Sequence, residues 1–187
     1  MATRDVDAAP RFFGYGSLVN RRTHDYPDIR PMTATGWRRA WRHTALRPVA
    51  YLTATPAPGS RIEGLSAAVP GGDWAALDLR EAAYVRAALP EGPSIYHIPH
   101  DLHGPPTAKH PILLSYLDTV VQGYRAEFGE EGVAAFFDTT DGWDAPIRDD
   151  RAAPIYPRAE RLAPEEIALV DHHLLRVRRL APAGSTG

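Results

Sequence analysis

Apolar residues follow two regimes along this chain: short aromatic and β-branched runs broken by Pro and Gly up to about residue 70, helical spacing after it. The run RFFGYGSL over 11–18 reads as a strand feeding a Gly-x-Gly turn. Strand-like pieces continue over 36–41, 51–55 and 61–69, the last two separated by the turn PAPGS. From Asp73, a good N-cap residue, DWAALDLREAAYVRA has the Ala and Leu content of a helix. Residues 94–98 return to the sheet, and 100–110 form a proline-stiffened loop. Beyond Pro111, Leu113, Leu117, Val120, Val121, Tyr124 and Phe128 recur at helical spacing, which predicts a long amphipathic helix covering one face of the sheet. Residues 131–137 extend it or form a short second helix. Ile167, Val170, Leu174 and Val177 mark a last helix, opened by Pro164 at its first position. Residues 139–158 are polar, Pro-rich and aperiodic. Strands precede helices instead of alternating with them, so the expected class is α+β. The expectation is one domain over 10–181, a small mixed β-barrel or strongly bent sheet with flanking helices, with disordered tails at 1–9 and 182–187.

Composition narrows the partners. With 44% hydrophobic and 24% charged residues the chain has ordinary globular usage, and a net charge of −2 gives no field to attract nucleic acid or anionic lipid. A small molecule is the expected partner. All but one of the 21 basic residues are Arg, the exception being Lys109, and no basic cluster exceeds Arg38, Arg39 and Arg42, expected to alternate on a strand. The flanking Trp37 and Trp41 could stack on RNA bases, but the charge argues against it. There is no Cys, hence no thiolate nucleophile and no Cys-ligated zinc. Neither a signal-peptide h-region nor a run of about 18 apolar residues is present, so the expected location is cytoplasmic.

Two features carry chemistry. The first is Gly14-Tyr15-Gly16-Ser17-Leu18, a strand end where two residues without Cβ allow backbone N–H groups to turn together towards an anion. As a dinucleotide fingerprint it fails, since Val19 stands where the third Gly belongs, and it lacks the GK[ST] of a P-loop. A plain tight turn is the competing reading. The second feature is Glu81. On a helix starting near Asp73, Trp74, Leu77 and Glu81 fall at i, i+3 and i+7, so a carboxylate points where two apolar side chains point. A buried carboxylate is costly unless paired or neutralised. Arg80 is not expected to relieve it, because i,i+1 side chains of a helix do not face each other. A distant Arg such as Arg61, or a helix end opening Glu81 to solvent, would then have to do so.

Taken together these features resemble the γ-glutamylcyclotransferase-like family. The shared order is Gly14-Tyr15-Gly16-Ser17-Leu18, then GWRRAWR, then Gly59-Ser60-Arg61-Ile62-Glu63-Gly64-Leu65, then Leu77-Asp78-Leu79-Arg80-Glu81 and Tyr84, over residues 12–130. The resemblance implies a fold built on a small barrel, a backbone receptor at the Gly14–Leu18 turn, a catalytic Glu81, and pocket walls from Tyr84 and Tyr116. Ala82 stands where many members have Gly, and residues 142–158 have no counterpart in the short eukaryotic members.

Such chemistry needs few residues, because the α-amine of a γ-glutamyl compound can attack its own γ-carbonyl, closing 5-oxoproline and expelling an amine. No cofactor or metal is expected. Bent geometry is worth ~7–11 kcal/mol at its upper limit. The Gly14–Leu18 amides would hold the α-carboxylate or the carbonyl oxygen, and Glu81 would act first as base and then as acid, a role worth ~10²–10⁴-fold. Competing readings are a metal site at His97, His100, His103 and His110, which lack HExxH spacing, and a Ser17 nucleophile, which lacks a GxSxG elbow. From another class comes a non-catalytic protein that keeps the fold and binds an amino-acid-like ligand. Residues 142–158 are either a solvated loop or a pocket wall ending in Trp143 and Tyr156.

Overall fold

Residues 9–180 are described in the computed structural model, so the expectation of disordered tails falls, residue 9 apart, outside the described residues. Strand β1 (Arg11–Gly14) lies inside a six-stranded mixed sheet. It pairs antiparallel with β3 (Ala50–Ala68) and parallel with β5 (Ser94–His97). Outside β3 come β2 (Arg30–His43) and the short β7 (Thr140–Asp141); outside β5 comes β4 (Val85–Ala88). The sheet runs β4-β5-β1-β3-β2-β7 and does not close. Of the two expected forms it is the bent sheet, and the barrel is set aside. The two pieces expected at 51–55 and 61–69 are one strand: between the pairs Thr35↔Arg61 and Trp37↔Pro56 the register slips, and residues 57–60 of the PAPGS stretch are absorbed as an irregularity opposite Gly36.

Consecutive side chains of a strand point to opposite faces, and Phe12 and Phe13 show the consequence. Phe13 enters the main core with Leu52, Ile62, Leu65 and Ile95, whereas Phe12 packs with Leu18, Val69, Leu77 and Tyr96 on the other side. The main core is closed by α2 (Leu114–Asp138) through Leu117, Val120, Val121, Tyr124, Val133 and Phe136, and by Val170 and Leu174 of α3 (Pro164–Leu180). Gly129, at φ +67, breaks α2 internally, so residues 131–137 continue it across a kink.

Two expectations fail on tertiary contacts. Helix α1 spans only Ala75–Arg80, and Val85–Ala88 belong to β4 instead of continuing the helix. The Tyr84 hydroxyl donates to the Leu52 carbonyl (2.8 Å), anchoring this stretch to the sheet, and strand pairing with β5 overrides helix propensity. Nor is α2 amphipathic in its first half: Ser115, Asp118, Thr119 and Gln122 are as buried as the apolar stripe. Their cover is the 142–158 segment and the stretch up to Arg161. Asp150 accepts from the Ser115 amide at the start of α2 (2.8 Å), and Arg151 forms a bidentate pair with Asp118 (2.7 and 2.8 Å). Thr119 Oγ1 accepts from the Glu160 amide (3.1 Å), and Gln122 Nε2 donates to the Arg161 carbonyl (3.2 Å). The strands β6 (Ile112–Leu113) and β8 (Ile147–Arg148), paired in parallel, complete the attachment. Among the described residues no helix is long and apolar enough to cross a membrane.

Candidate active site

The end of β1 is held open by close packing. A Cβ on Gly64 would come within 2.2 Å of the Gly14 carbonyl oxygen, so only glycine lets β3 lie against the turn. Beyond it Ser17–Val19 form a 3-10 turn. Every carbonyl of residues 15–18 is occupied from within the protein. Tyr15 accepts from Arg39 Nε (3.1 Å) and the Tyr124 hydroxyl (2.9 Å), Gly16 from the Val19 amide (3.0 Å), and Ser17 from the Asn20 amide (3.1 Å) and the Thr23 hydroxyl (2.9 Å). The Leu18 carbonyl pairs with the His24 ring (2.9 Å). The Ser17 amide is turned to the Tyr116 phenol oxygen, so a backbone donor of the turn faces the α2 side.

Arg39 anchors this arrangement, and its side chain is 1% exposed. Its guanidinium also bonds Thr139 Oγ1 (2.7 Å) and lies 5.0 Å over the Tyr124 ring. Strand alternation carries the signal: Arg39 shares a face with Trp37 and Trp41, whereas Arg38 and Arg42 point the other way. Arg38 pairs with Asp141 at the surface (2.7 Å). Trp41 is fully buried, which removes it as a base-stacking platform.

Glu81 stands at the C-cap of α1, at φ −100 and ψ 35. The helix has ended, so the i,i+1 rule no longer applies, and Arg80 Nε reaches Glu81 Oε1 at 3.3 Å. The partner of Glu81 is therefore its neighbour and not Arg61. The two side chains are 8% and 16% exposed. Arg80 also donates to the Thr23 carbonyl (2.9 Å), Thr23 Oγ1 (3.0 Å) and Ser17 Oγ (3.2 Å), joining Glu81 to the Gly14–Leu18 turn. Burial raises the Glu81 carboxyl above the ordinary carboxylate range, and the charges of Arg80 and then Arg158 offset this only in part.

All eight residues singled out in the sequence line one pocket: Gly14, Tyr15, Gly16, Ser17, Leu18, Glu81, Tyr84 and Tyr116. Phe13, Leu52 and Tyr96 complete it, none of them flagged by a motif. The cavity is narrow at about 30 Å³, room for a water-sized group, within about 310 Å³ of free space that includes its mouth. Gly16 faces Tyr116 so closely that a Cβ would sit 2.7 Å from the phenol oxygen. Tyr15 contributes differently, since its hydroxyl accepts from the Ala54 amide (3.0 Å) and donates to the Tyr96 carbonyl, tying the turn to both neighbouring strands. Burial pushes the phenols of Tyr15, Tyr84, Tyr96 and Tyr116 well above their usual range, so they stay neutral where a carboxylate titrates. No residue of the 142–158 segment lines this pocket; the segment packs behind it. Trp143 is buried against Phe137 (ring centroids 4.7 Å apart), and Tyr156 packs edge-on against Tyr116 (5.0 Å).

The histidine loop is elsewhere. His43 stacks on His110 (4.4 Å) and His100 lies against His103 (5.3 Å), but no group of three or more His, Asp or Glu residues among the described residues is placed to hold a metal ion. Ser17 Oγ takes a bond from Arg80 and not from a histidine.

No family model matches the sequence, and no curated protein does. Solved structures do resemble it. A γ-glutamyl cyclotransferase is 14% identical, covering 87% of this chain and 98% of its own, with a TM-score of 0.49. A yeast γ-glutamyl cyclotransferase specific to glutathione is 14% identical over 90% and 99%, with a TM-score of 0.41. YkqA from Bacillus subtilis is 17% identical over 71% of this chain and 56% of that one, with a TM-score of 0.52. At 17% identity and a TM-score of 0.52, what the likeness to YkqA shows is a shared fold.

Proposed function

We propose that this protein is a γ-glutamylcyclotransferase-type enzyme acting on a small γ-glutamyl compound. The observation that carries this reading is the shared pocket: one partly buried carboxylate lines the same cavity as the Gly14–Leu18 turn, together with phenols held neutral by burial. In the proposed reaction the substrate's α-carboxylate or γ-carbonyl oxygen rests on the amides of the Gly14–Leu18 turn. Glu81 takes a proton from the α-ammonium. The freed amine then attacks the γ-carbonyl carbon and the lactam C–N bond forms. The proton held by Glu81 goes to the departing nitrogen as the original amide C–N bond breaks, and the lactam nitrogen gives its second proton back to the emptied Glu81 carboxylate, from which solvent takes it. The products are 5-oxoproline and an amine. The nucleophile belongs to the substrate, so the cycle calls for no cofactor. A raised Glu81 suits both halves, since a base that is too weak would not take the proton and one that is too strong would not return it.

The test is a panel of γ-glutamyl compounds, among them glutathione, γ-glutamyl amino acids and ε-(γ-glutamyl)lysine, with 5-oxoproline read by mass spectrometry. At least one is expected to yield it, with and without prior chelation. Glu81→Gln keeps the side-chain volume and removes the base, so product formation should fall ~10²-fold or more while ligand binding persists. Binding with no 5-oxoproline from any compound in the parent protein would instead identify a ligand-binding protein.

A further inference from the structure

We propose that Arg80 is the positioning residue for Glu81: its guanidinium ties the carboxylate to the Ser17 turn and fixes both its place and its charge. This rests on the reading of Glu81 as the reacting carboxylate. The geometry is a single planar group with three duties. Nε meets Glu81 at 3.3 Å, one terminal nitrogen bonds the Thr23 carbonyl at 2.9 Å, and the other bonds Thr23 Oγ1 at 3.0 Å and Ser17 Oγ at 3.2 Å. A side chain only 8% exposed and held by four contacts has little freedom, and neither has the carboxylate it meets. A flexible ammonium cannot reproduce this, because it is a point charge without a fork.

The other groups around Glu81 are exposed or neutral. The 142–158 segment contributes Arg158, an exposed cation. The phenols whose charge the Glu81 carboxylate opposes are Tyr15 just after β1, Tyr26 before β2, Tyr84 before β4, Tyr96 of β5 and Tyr116 of α2. All are held neutral, so Arg80 is the buried charge that opposes the desolvation of Glu81. An arginine serving only to brace the fold would not alter where Glu81 titrates.

The experiment follows the Glu81 side-chain carboxyl carbon by NMR titration in the 13C-labelled protein, in the parent, Arg80→Gln and Arg80→Lys. Loss of the charge in Arg80→Gln is expected to move the midpoint to higher pH, and Arg80→Lys to lie between the two. A folded Arg80→Gln that titrates with the parent overturns the proposal. Should Arg80→Gln not fold, Arg80→Lys decides: a midpoint and resonance position identical to the parent's overturn it as well. No substrate is involved, so the titration result stands whether or not the γ-glutamyl panel yields 5-oxoproline. If the panel succeeds and the titration is flat, the cyclotransferase reading stands and the role of Arg80 falls.

Discussion

Glu81 carries an electrostatic signature that can be read from stability as well as from rate. Its carboxyl is raised in the folded protein from an ordinary value of 4.5, chiefly by burial. Between those two titrations the folded state holds a proton that the unfolded chain has lost, so stability from this site is present at low pH and drains away as pH rises. Glu81→Gln removes that dependence. Its stability relative to the parent, measured by urea unfolding at a series of pH values, should therefore increase with pH through the Glu81 titration and then level off. A gap that narrows instead would mean the folded state favours the charged form, and the desolvation account would be wrong. In the proposed reaction the same group sets the acid limb of kcat/KM, which should fall at a pH above the ordinary carboxylate range.

At the scale of elements, the site depends on where β1 stops and how tightly α2 approaches it. Gly16 is a contact glycine: a methyl group there would meet the Tyr116 phenol at 2.7 Å. Gly16→Ala should lower 5-oxoproline formation at least ~10-fold by displacing either the turn or Tyr116, since misplacement by ~1 Å costs about that much or more. Tyr116→Phe removes the clashing oxygen, so in the double variant the stability lost through Gly16→Ala should largely return, read as Tm. Failure of that rescue would place the strain elsewhere in the turn. The short α1 belongs to the same scale. Its end at Arg80 turns Glu81 from a helical residue into a cap and brings it against its own neighbour, a contact no helical wheel contains.

At the scale of the molecule, the 142–158 segment locks α2 to the rest of the fold. Asp150, 5% exposed, is opposed by burial, but hydrogen bonds from the Ser115 hydroxyl and amide and the Ile155 amide outweigh it and hold the carboxyl below its usual range. Its stabilisation is present above the ordinary aspartate range and lost as pH falls through the lowered titration. Asp150→Asn should cost ~1–3 kcal/mol near neutral pH, with the deficit shrinking in acid, as chemical denaturation at each pH would show. A deficit that does not vary with pH would mean the bonds matter without the charge. The same variant loosens Tyr156, whose amide lies 3.3 Å from Ser115 Oγ, and with it the ring packed against Tyr116.

Much of this was legible in the residues. Strand β1 and its glycine turn, strand β5, the long helix after Pro111 and the helix opened by Pro164 all follow from local periodicity, glycine placement and capping, which short stretches of chain carry by themselves. The candidate site was legible as two motifs in one order. What the chain could not specify locally was anything settled by a distant partner. Residues 85–88 have helix-forming neighbours but pair with β5, and Ser115, Asp118, Thr119 and Gln122 look solvent-facing until residues 150–161 cover them. Arg39 reads as a surface cation until four acceptors from separate segments surround it, and Arg80 meets Glu81 only because α1 ends between them. Periodicity records which face of an element is apolar; which polar groups find partners in the interior depends on contacts between residues far apart in the chain, and those exist only once the fold has formed.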